Sequence, residues 1–82
     1  MTEEDSEVDV HDLDVSLWIG KHGIGPVVDE LTAQLEHHEY VKVKFLKAAR
    51  TSNTTEELAV ELATRVGGDV VETRGHTAVF SG

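Results

Sequence analysis

The order of two hydrophobic periodicities along the 82 residues constrains the fold of this chain more than any other feature. Strand-like alternation is followed twice by helix-like spacing, and two short apolar runs complete the chain. In the first alternating segment, Val15, Leu17 and Ile19 share one side and Trp18 lies on the other. We expect a strand that buries one face and ends at Gly20.

The second alternating segment runs from Tyr40 to Leu46 and separates apolar from basic residues. One predicted face carries Val41, Val43 and Phe45, and the other carries Lys42 and Lys44. Because side chains alternate across a strand, this pattern predicts a strand with a buried face and a basic outer face.

Each of these strands is followed by a predicted helix with a recognisable beginning. Pro26 suits the first turn of the first helix, where its missing N–H is tolerated. For the second helix two capping boxes are open, Asn53 with Glu56 or Thr54 with Glu57, and a glycine pair ends it. Its predicted buried stripe consists of Leu58, Ala59, Leu62, Ala63 and Val66.

The end of the chain predicts a hairpin, with strands at residues 70–73 and 77–80 joined by Arg74-Gly75-His76. The element order is therefore β-α-β-α-β-β. Because strand–helix–strand connections within one sheet are right-handed, both helices are expected on one face of a four-stranded mixed sheet. The fold class is α/β.

Carboxylates are concentrated in the first 14 residues, which hold seven of the sixteen acids and neither Lys nor Arg. The formal net charge is −9, so the rest of the chain carries only −2. We predict that residues 1–13 form an acidic flexible tail and residues 14–82 the folded domain. The acidic composition with few lysines also predicts a protein adapted to high salt.

The composition argues against several classes of protein. The chain has no cysteine, which excludes disulfides and thiolate metal sites. Its apolar runs are too short for a membrane span and its first residues are acidic, so we expect a cytoplasmic protein without a membrane partner. No nucleophile motif or acid–base carboxylate pair is recognisable, and we expect neither enzyme activity nor a cofactor. Adjacent His37 and His38 cannot both face one ion, so we expect no metal site.

The tetrapeptide Gly20-Lys21-His22-Gly23 links the first predicted strand to the first predicted helix. Two glycines allow a polyanion to approach the backbone, and a helix N-terminus beside Lys21 would attract a phosphate. Glycine turns between a strand and a helix are also common as purely structural devices, so both interpretations stay open. Downstream, residues 40–55 carry four basic residues and no acid.

Several motifs in sequence order resemble the CRM domain (chloroplast RNA splicing and ribosome maturation), also called YhbY-like. They are WIGKHGI at residues 18–24, LEHHEYVKVK at 35–44, FLKAAR at 45–50 and RGHT at 74–77. The resemblance covers residues 15–82 and implies a fold like the C-terminal domain of bacterial translation initiation factor three. It also implies RNA as the partner, in particular ribosomal RNA or a precursor of the large ribosomal subunit with its ribosomal proteins.

The chain departs from the family pattern at its start, where the acidic tail replaces a basic N-terminal helix. Gly25-Pro26 also stand where a hydroxyl residue commonly caps the helix, and residues 79–82 lack the basic residue often found there. The candidate RNA-contacting residues are Gly20, Lys21, His22, Gly23, Lys42, Lys44, Lys47, Arg50, Arg74 and His76.

Two other classes of function remain open. An Alba-like chromatin protein has the same element order and binds DNA or RNA as a dimer, although its long basic hairpin contrasts with the short turn at Gly75. A protein-interaction module would instead use an open sheet face around Trp18 and Tyr40. For Trp18 itself we expect packing within the protein rather than base stacking.

Overall fold

The computed structural model describes residues 13–82 and confirms the predicted order of elements. The predicted tail, residues 1–13, lies almost entirely outside the described residues. The elements are β1 (Val15–Ile19), α1 (Gly25–His37), β2 (Tyr40–Phe45), a short 3-10 helix (Lys47–Ala49), α2 (Thr55–Val66), β3 (Asp69–Arg74) and β4 (Thr77–Ser81).

The four strands form one mixed sheet in the order β1-β2-β4-β3. Strands β1 and β2 are parallel, and β4 is antiparallel to both β2 and β3. The two helices pack on the same face, because a single core cluster combines inward-facing residues of the sheet with the apolar stripes of both helices. The prediction of a mixed sheet with two helices on one face is therefore confirmed.

Alternation along the strands separates this core from the open face. Phe45 of β2 and Phe80 of β4 are completely buried against the helices. On the face opposite the helices, which we call the open face, Lys44 is exposed, Lys42 is half-buried and Val79 is buried. Trp18 was placed correctly on this face, but its predicted packing is wrong, because 56% of its surface is exposed.

Helix α2 has well-defined ends that follow from its sequence. Of the two capping boxes considered, the one formed is Thr54 with Glu57. The Glu57 N–H donates to the Thr54 hydroxyl at 3.1 Å, and the Thr54 N–H donates to the Glu57 carboxylate at 3.0 Å. At the other end Gly67 has a φ of 73°, a left-handed conformation that favours glycine.

Candidate nucleic-acid interface

One end of the sheet collects three loops that are far apart in sequence. Parallel β1 and β2 both finish there, and β4 begins there. The Leu46 N–H donates to the Ile19 carbonyl at 2.8 Å, and the Phe45 N–H donates to the His76 carbonyl at 2.7 Å. These bonds join the β1–α1 loop, the segment after β2 and the β3–β4 hairpin, and we call this region the loop end.

Residues 20–23, which we call the GxxG turn, form a hydrogen-bonded reversal at the loop end. The Gly23 N–H donates to the Gly20 carbonyl at 3.0 Å. Lys21 and His22 occupy the exposed corners, and neither has a positive φ. The turn therefore belongs to none of the types that require glycine at a central position.

The two glycines of the turn have different structural requirements. Gly23 has a φ of 77°, which side chains rarely adopt, so the turn itself explains this glycine. Gly20 has no positive φ, and a Cβ there would meet only the Leu46 Cδ1 atom at 3.9 Å, an ordinary contact. The fold would accept a side chain at Gly20, and its absence leaves the backbone open to close approach by another molecule.

Helix α1 starts directly after this turn without a side-chain cap. Ile24 is the N-cap residue and offers no side-chain hydrogen bond. Pro26 has no N–H, and the Val27 N–H is taken by the Ile24 carbonyl at 2.9 Å. Among the described residues, no acceptor bonds the Gly25 N–H. This N–H lies at the positive end of the helix dipole.

The loop end also gathers the basic side chains that follow β2. Lys44 is the second-last residue of β2, and Lys47 lies exposed on the 3-10 helix. Arg50 is half-buried, and its Nε atom donates to the Phe45 carbonyl at 3.0 Å. This hydrogen bond fixes the loop against the end of β2. Arg50 thus has a structural contact that was not predicted from the sequence.

The hairpin completes this region with Arg74 and His76, which are both exposed. Nine of the ten candidate residues therefore lie at the loop end, and Lys42 lies one pair further along the open face, opposite Val79. Of the seven Lys and Arg residues, the one outside this area is Arg65, which pairs with Glu61 on α2 at 2.8 Å.

The opposite end of the sheet has the reverse charge. Glu36 and Glu39 lie around the end of α1, and Asp69 begins β3. An open groove at this end is lined by residues that include Leu35, Glu39 and Tyr40. Carboxylates also occur near the loop end: Glu72 lies two residues before Arg74 on β3, and Glu56 and Glu57 lie in the first turn of α2. Five of the seven Lys and Arg residues nevertheless lie at the loop end.

Other kinds of site have little basis in the described residues. No three His, Cys, Asp or Glu side chains within residues 13–82 are placed to hold a metal ion. In the same range no helix is long and apolar enough to cross a membrane. Trp18 was not among the candidate residues, although its alternation with Leu17 and Ile19 was sufficient to place it on the face of the sheet opposite the helices.

Two known proteins are similar to this chain in sequence or in structure. The chain is 36% identical over 66 residues to the Methanocaldococcus jannaschii protein named Probable RNA-binding protein MJ0652. That match covers 80% of this chain and 49% of the relative, so the chain spans about half of the relative's length. The solution structure of SAV1595 from Staphylococcus aureus, described as a candidate RNA-binding protein, superposes with a TM-score of 0.70 and 27% identity. It covers 88% of this chain and 74% of that one.

The family model for the CRS1/YhbY (CRM) domain matches residues 7–80. The match extends over β1 to β4 and includes the GxxG turn, the segment after β2 and the hairpin. It begins before the predicted domain boundary at residue 14, in the part of the chain outside the described residues, and that boundary stays a prediction. The chain belongs to the CRS1/YhbY (CRM) domain family.

Proposed function

We propose that this protein binds RNA, and specifically ribosomal RNA or a precursor of the large ribosomal subunit, through the GxxG turn and the basic residues beside it. The observation that carries the proposal is the convergence of three loops at one end of the sheet, with five Lys and Arg residues and an uncapped helix. Family membership and the names of the two relatives support RNA as the ligand.

The GxxG turn would contact the RNA backbone mainly through main-chain groups. A phosphate placed against Gly20 can approach closely because no side chain intervenes, and the Gly25 N–H and Lys21 can then donate to its oxygens. These donors recognise a phosphate without reading a base. The turn therefore positions the RNA, and selection among RNAs comes from shape and from other contacts.

Salt limits what the basic residues can contribute. If Lys21, Lys44 and Lys47 each neutralised one phosphate of a single strand, a tenfold rise in salt would lower the affinity by about a hundredfold. A hydrogen bond from a main-chain N–H neutralises no phosphate charge and so releases no counterion from the RNA, and its contribution to affinity therefore depends less on salt. In an acidic protein of net charge −9, the turn is expected to supply most of the affinity that remains at high salt.

The test is a binding titration with a structured fragment of large-subunit ribosomal RNA, compared with a DNA duplex of the same length. Gly20→Asp places a carboxylate where a phosphate would lie, at a position with no strain and room for a Cβ. We expect RNA affinity to fall about fivefold to several hundredfold, because the repulsion between the two charges amounts to about 1–4 kcal/mol at about 4 Å. Gly23→Asp would be less informative, since strain at its positive φ would accompany the charge.

The matched control is Val60→Asp, which adds the same charge at an exposed position on α2. It should leave RNA affinity close to that of the unchanged protein. Equal losses for the two variants would indicate a general charge effect and contradict a role for the turn. Preference for duplex DNA over structured RNA would contradict the proposed ligand. Crosslinking in cells followed by sequencing of the bound RNA would identify the particle.

The Alba-like alternative receives no support from the hairpin. Only Gly75 and His76 lie between β3 and β4, so there is no long basic arm to enter a DNA groove. The protein-interaction alternative would require a partner on the open face around Trp18 and Tyr40.

A further inference from the structure

A row of four side chains crosses the open face of the sheet just below the loop end. In the strand pairing, Trp18 is opposite Lys44, Lys44 is opposite Thr77, and Thr77 is opposite Arg74. With strands about 4.8 Å apart, the row extends about 14 Å. It presents an aromatic ring at one edge and cationic side chains towards the other.

Trp18 is the unusual member of this row. It is the one tryptophan of the chain, and 56% of its surface is exposed, whereas both phenylalanines are completely buried. Leu46 beyond Lys44 is also partly exposed, and its side chain lies beside the Gly20 position. Leu46 thus borders the backbone position that the fold leaves without a side chain, and Trp18 lies two residues before that position.

We propose that Trp18 and Lys44 form a stacking site for an unpaired nucleotide of the RNA whose phosphate binds at the GxxG turn. The proposal rests on the function proposed above and names the part of the RNA that is read: a single-stranded base, not a duplex. The ring of Trp18 stacks on the base, and Lys44 pairs with the adjoining phosphate.

Geometry supports the coupling of the two sites. Trp18 precedes Gly20 by two residues in an extended strand, which places their Cα atoms about 7 Å apart. A base on Trp18 and a phosphate at the turn can therefore belong to the same or the next nucleotide. A base inside a duplex could not reach the ring, because its faces are covered by its neighbours.

The neighbours of Trp18 favour RNA over a protein partner. The row continues into Lys44, Thr77 and Arg74, so Trp18 is not the centre of an apolar patch. Protein interfaces of the stable kind bury their aromatic anchors in a core depleted of charge. A ring beside a lysine matches the combination of stacking surface and cation that binds single strands.

Because the chain has one tryptophan, its fluorescence emission reports on Trp18 alone. A short single-stranded oligouridylate, added to the full-length protein, should quench the emission of Trp18, and a duplex RNA of the same length should not. The same oligonucleotide without its bases keeps the phosphates and should bind without quenching. Trp18→Ala should weaken binding of the single strand about 5- to 150-fold, the range of one stacked base.

Trp18→Phe keeps an aromatic ring and should recover most of the affinity. Val60→Ala, which truncates an equally exposed side chain on α2, should bind as the unchanged protein does. Unchanged emission on binding, or an affinity of Trp18→Ala equal to that of Val60→Ala, would overturn the stacking site. So would an emission change that depends on protein concentration alone, which would indicate that a second copy covers the ring.

The two proposals can fail separately. If Gly20→Asp weakens RNA binding and Trp18→Ala does not, the turn binds RNA and the stacking site is wrong. If Trp18→Ala weakens binding and Gly20→Asp does not, the open face rather than the turn is the RNA surface. If no RNA binds at either low or high salt, both proposals are wrong.

Discussion

The two helices begin at the same end of the sheet, but their N-termini are built in opposite ways. The chain itself closes the N-terminus of α2, with a capping box of Thr54 and Glu57 and a further carboxylate, Glu56, in the first turn. Helix α1 has no side-chain cap and no acid in its first turn. In a chain with sixteen acidic residues, the helix end that an acid would stabilise has none.

The difference indicates where an RNA phosphate can bind. At α2 it would meet two carboxylates and find the Glu57 N–H already bonded. At α1 it would meet Lys21 on the preceding turn and the Gly25 N–H. Acidic side chains complement the dipole at the N-terminus of α2, and none lies in the first turn of α1. The α2 terminus therefore contributes to stability, and we propose phosphate binding at the α1 terminus.

Giving α1 the acid that α2 has should produce the largest effect. Gly25→Asp adds a carboxylate in the first turn of α1, where a Cβ meets nothing within 4 Å. Repulsion of about 1–4 kcal/mol at about 4 Å should lower RNA affinity from about fivefold to several hundredfold. The same carboxylate should stabilise the helix by about 0.3–1 kcal/mol and raise the Tm by about 1–8 °C.

Because Gly25→Asp should lower RNA affinity but raise the Tm, a loss of binding cannot be attributed to a loss of folding. Isothermal titration with RNA and thermal unfolding followed by circular dichroism give the two quantities on one sample. Gly25→Ala is the matched control, since it adds the Cβ without the charge and should keep most of the affinity. If Gly25→Asp binds RNA as Gly25→Ala does, no phosphate lies at the N-terminus of α1.

Removing the cap of α2 should give the converse result. Thr54→Ala removes the hydroxyl that accepts from the Glu57 N–H, and the loss should be about 1 kcal/mol of stability. For a domain of this size the Tm should fall by about 4–8 °C. RNA affinity of the folded protein, measured well below the Tm, should not change. A loss of RNA affinity as large as that of Gly25→Asp would mean that α2 also borders the bound RNA.

The contrast between the helices could be partly predicted from the sequence. Capping depends on residue types at fixed spacing, so Thr54 and Glu57 were recognisable, although Asn53 with Glu56 was an equal candidate. The strand faces followed from alternation, and the placement of both helices on one face followed from the handedness of the crossovers. The strand order β1-β2-β4-β3 was not predicted. The GxxG motif was visible, but its two glycines looked equivalent.

Other properties depended on distances that a linear pattern does not contain. Gly20 and Gly23 are distinguished by the φ of 77° at Gly23 and by the Leu46 side chain near the Cβ position of Gly20. The bond from Arg50 to the Phe45 carbonyl depends on how the chain turns after β2. The exposure of Trp18 depends on how far neighbouring elements extend over its face of the sheet, which alternation along one strand does not show.

The smallest effect on RNA affinity is expected from deleting the acidic residues 1–13. Residues 1–13 carry six carboxylates, and we propose that these compete with phosphate for the cationic loop end and the N-terminus of α1. Deleting them should strengthen RNA binding a few-fold at low salt and change it little at high salt, because the Debye length falls to about 3 Å at 1 M salt. Binding titrations at the two salt concentrations measure the difference.

A variant with these six acids changed to Asn or Gln is the necessary partner of the deletion, since the family match begins at residue 7 and the deletion also removes matched chain. Equal gains for both changes would assign the effect to charge. A gain for the deletion alone would assign it to the bulk of the segment. Combined with Gly25→Asp, the neutral tail should give no gain, because the site for which the tail competes is then closed by its own carboxylate, as in α2.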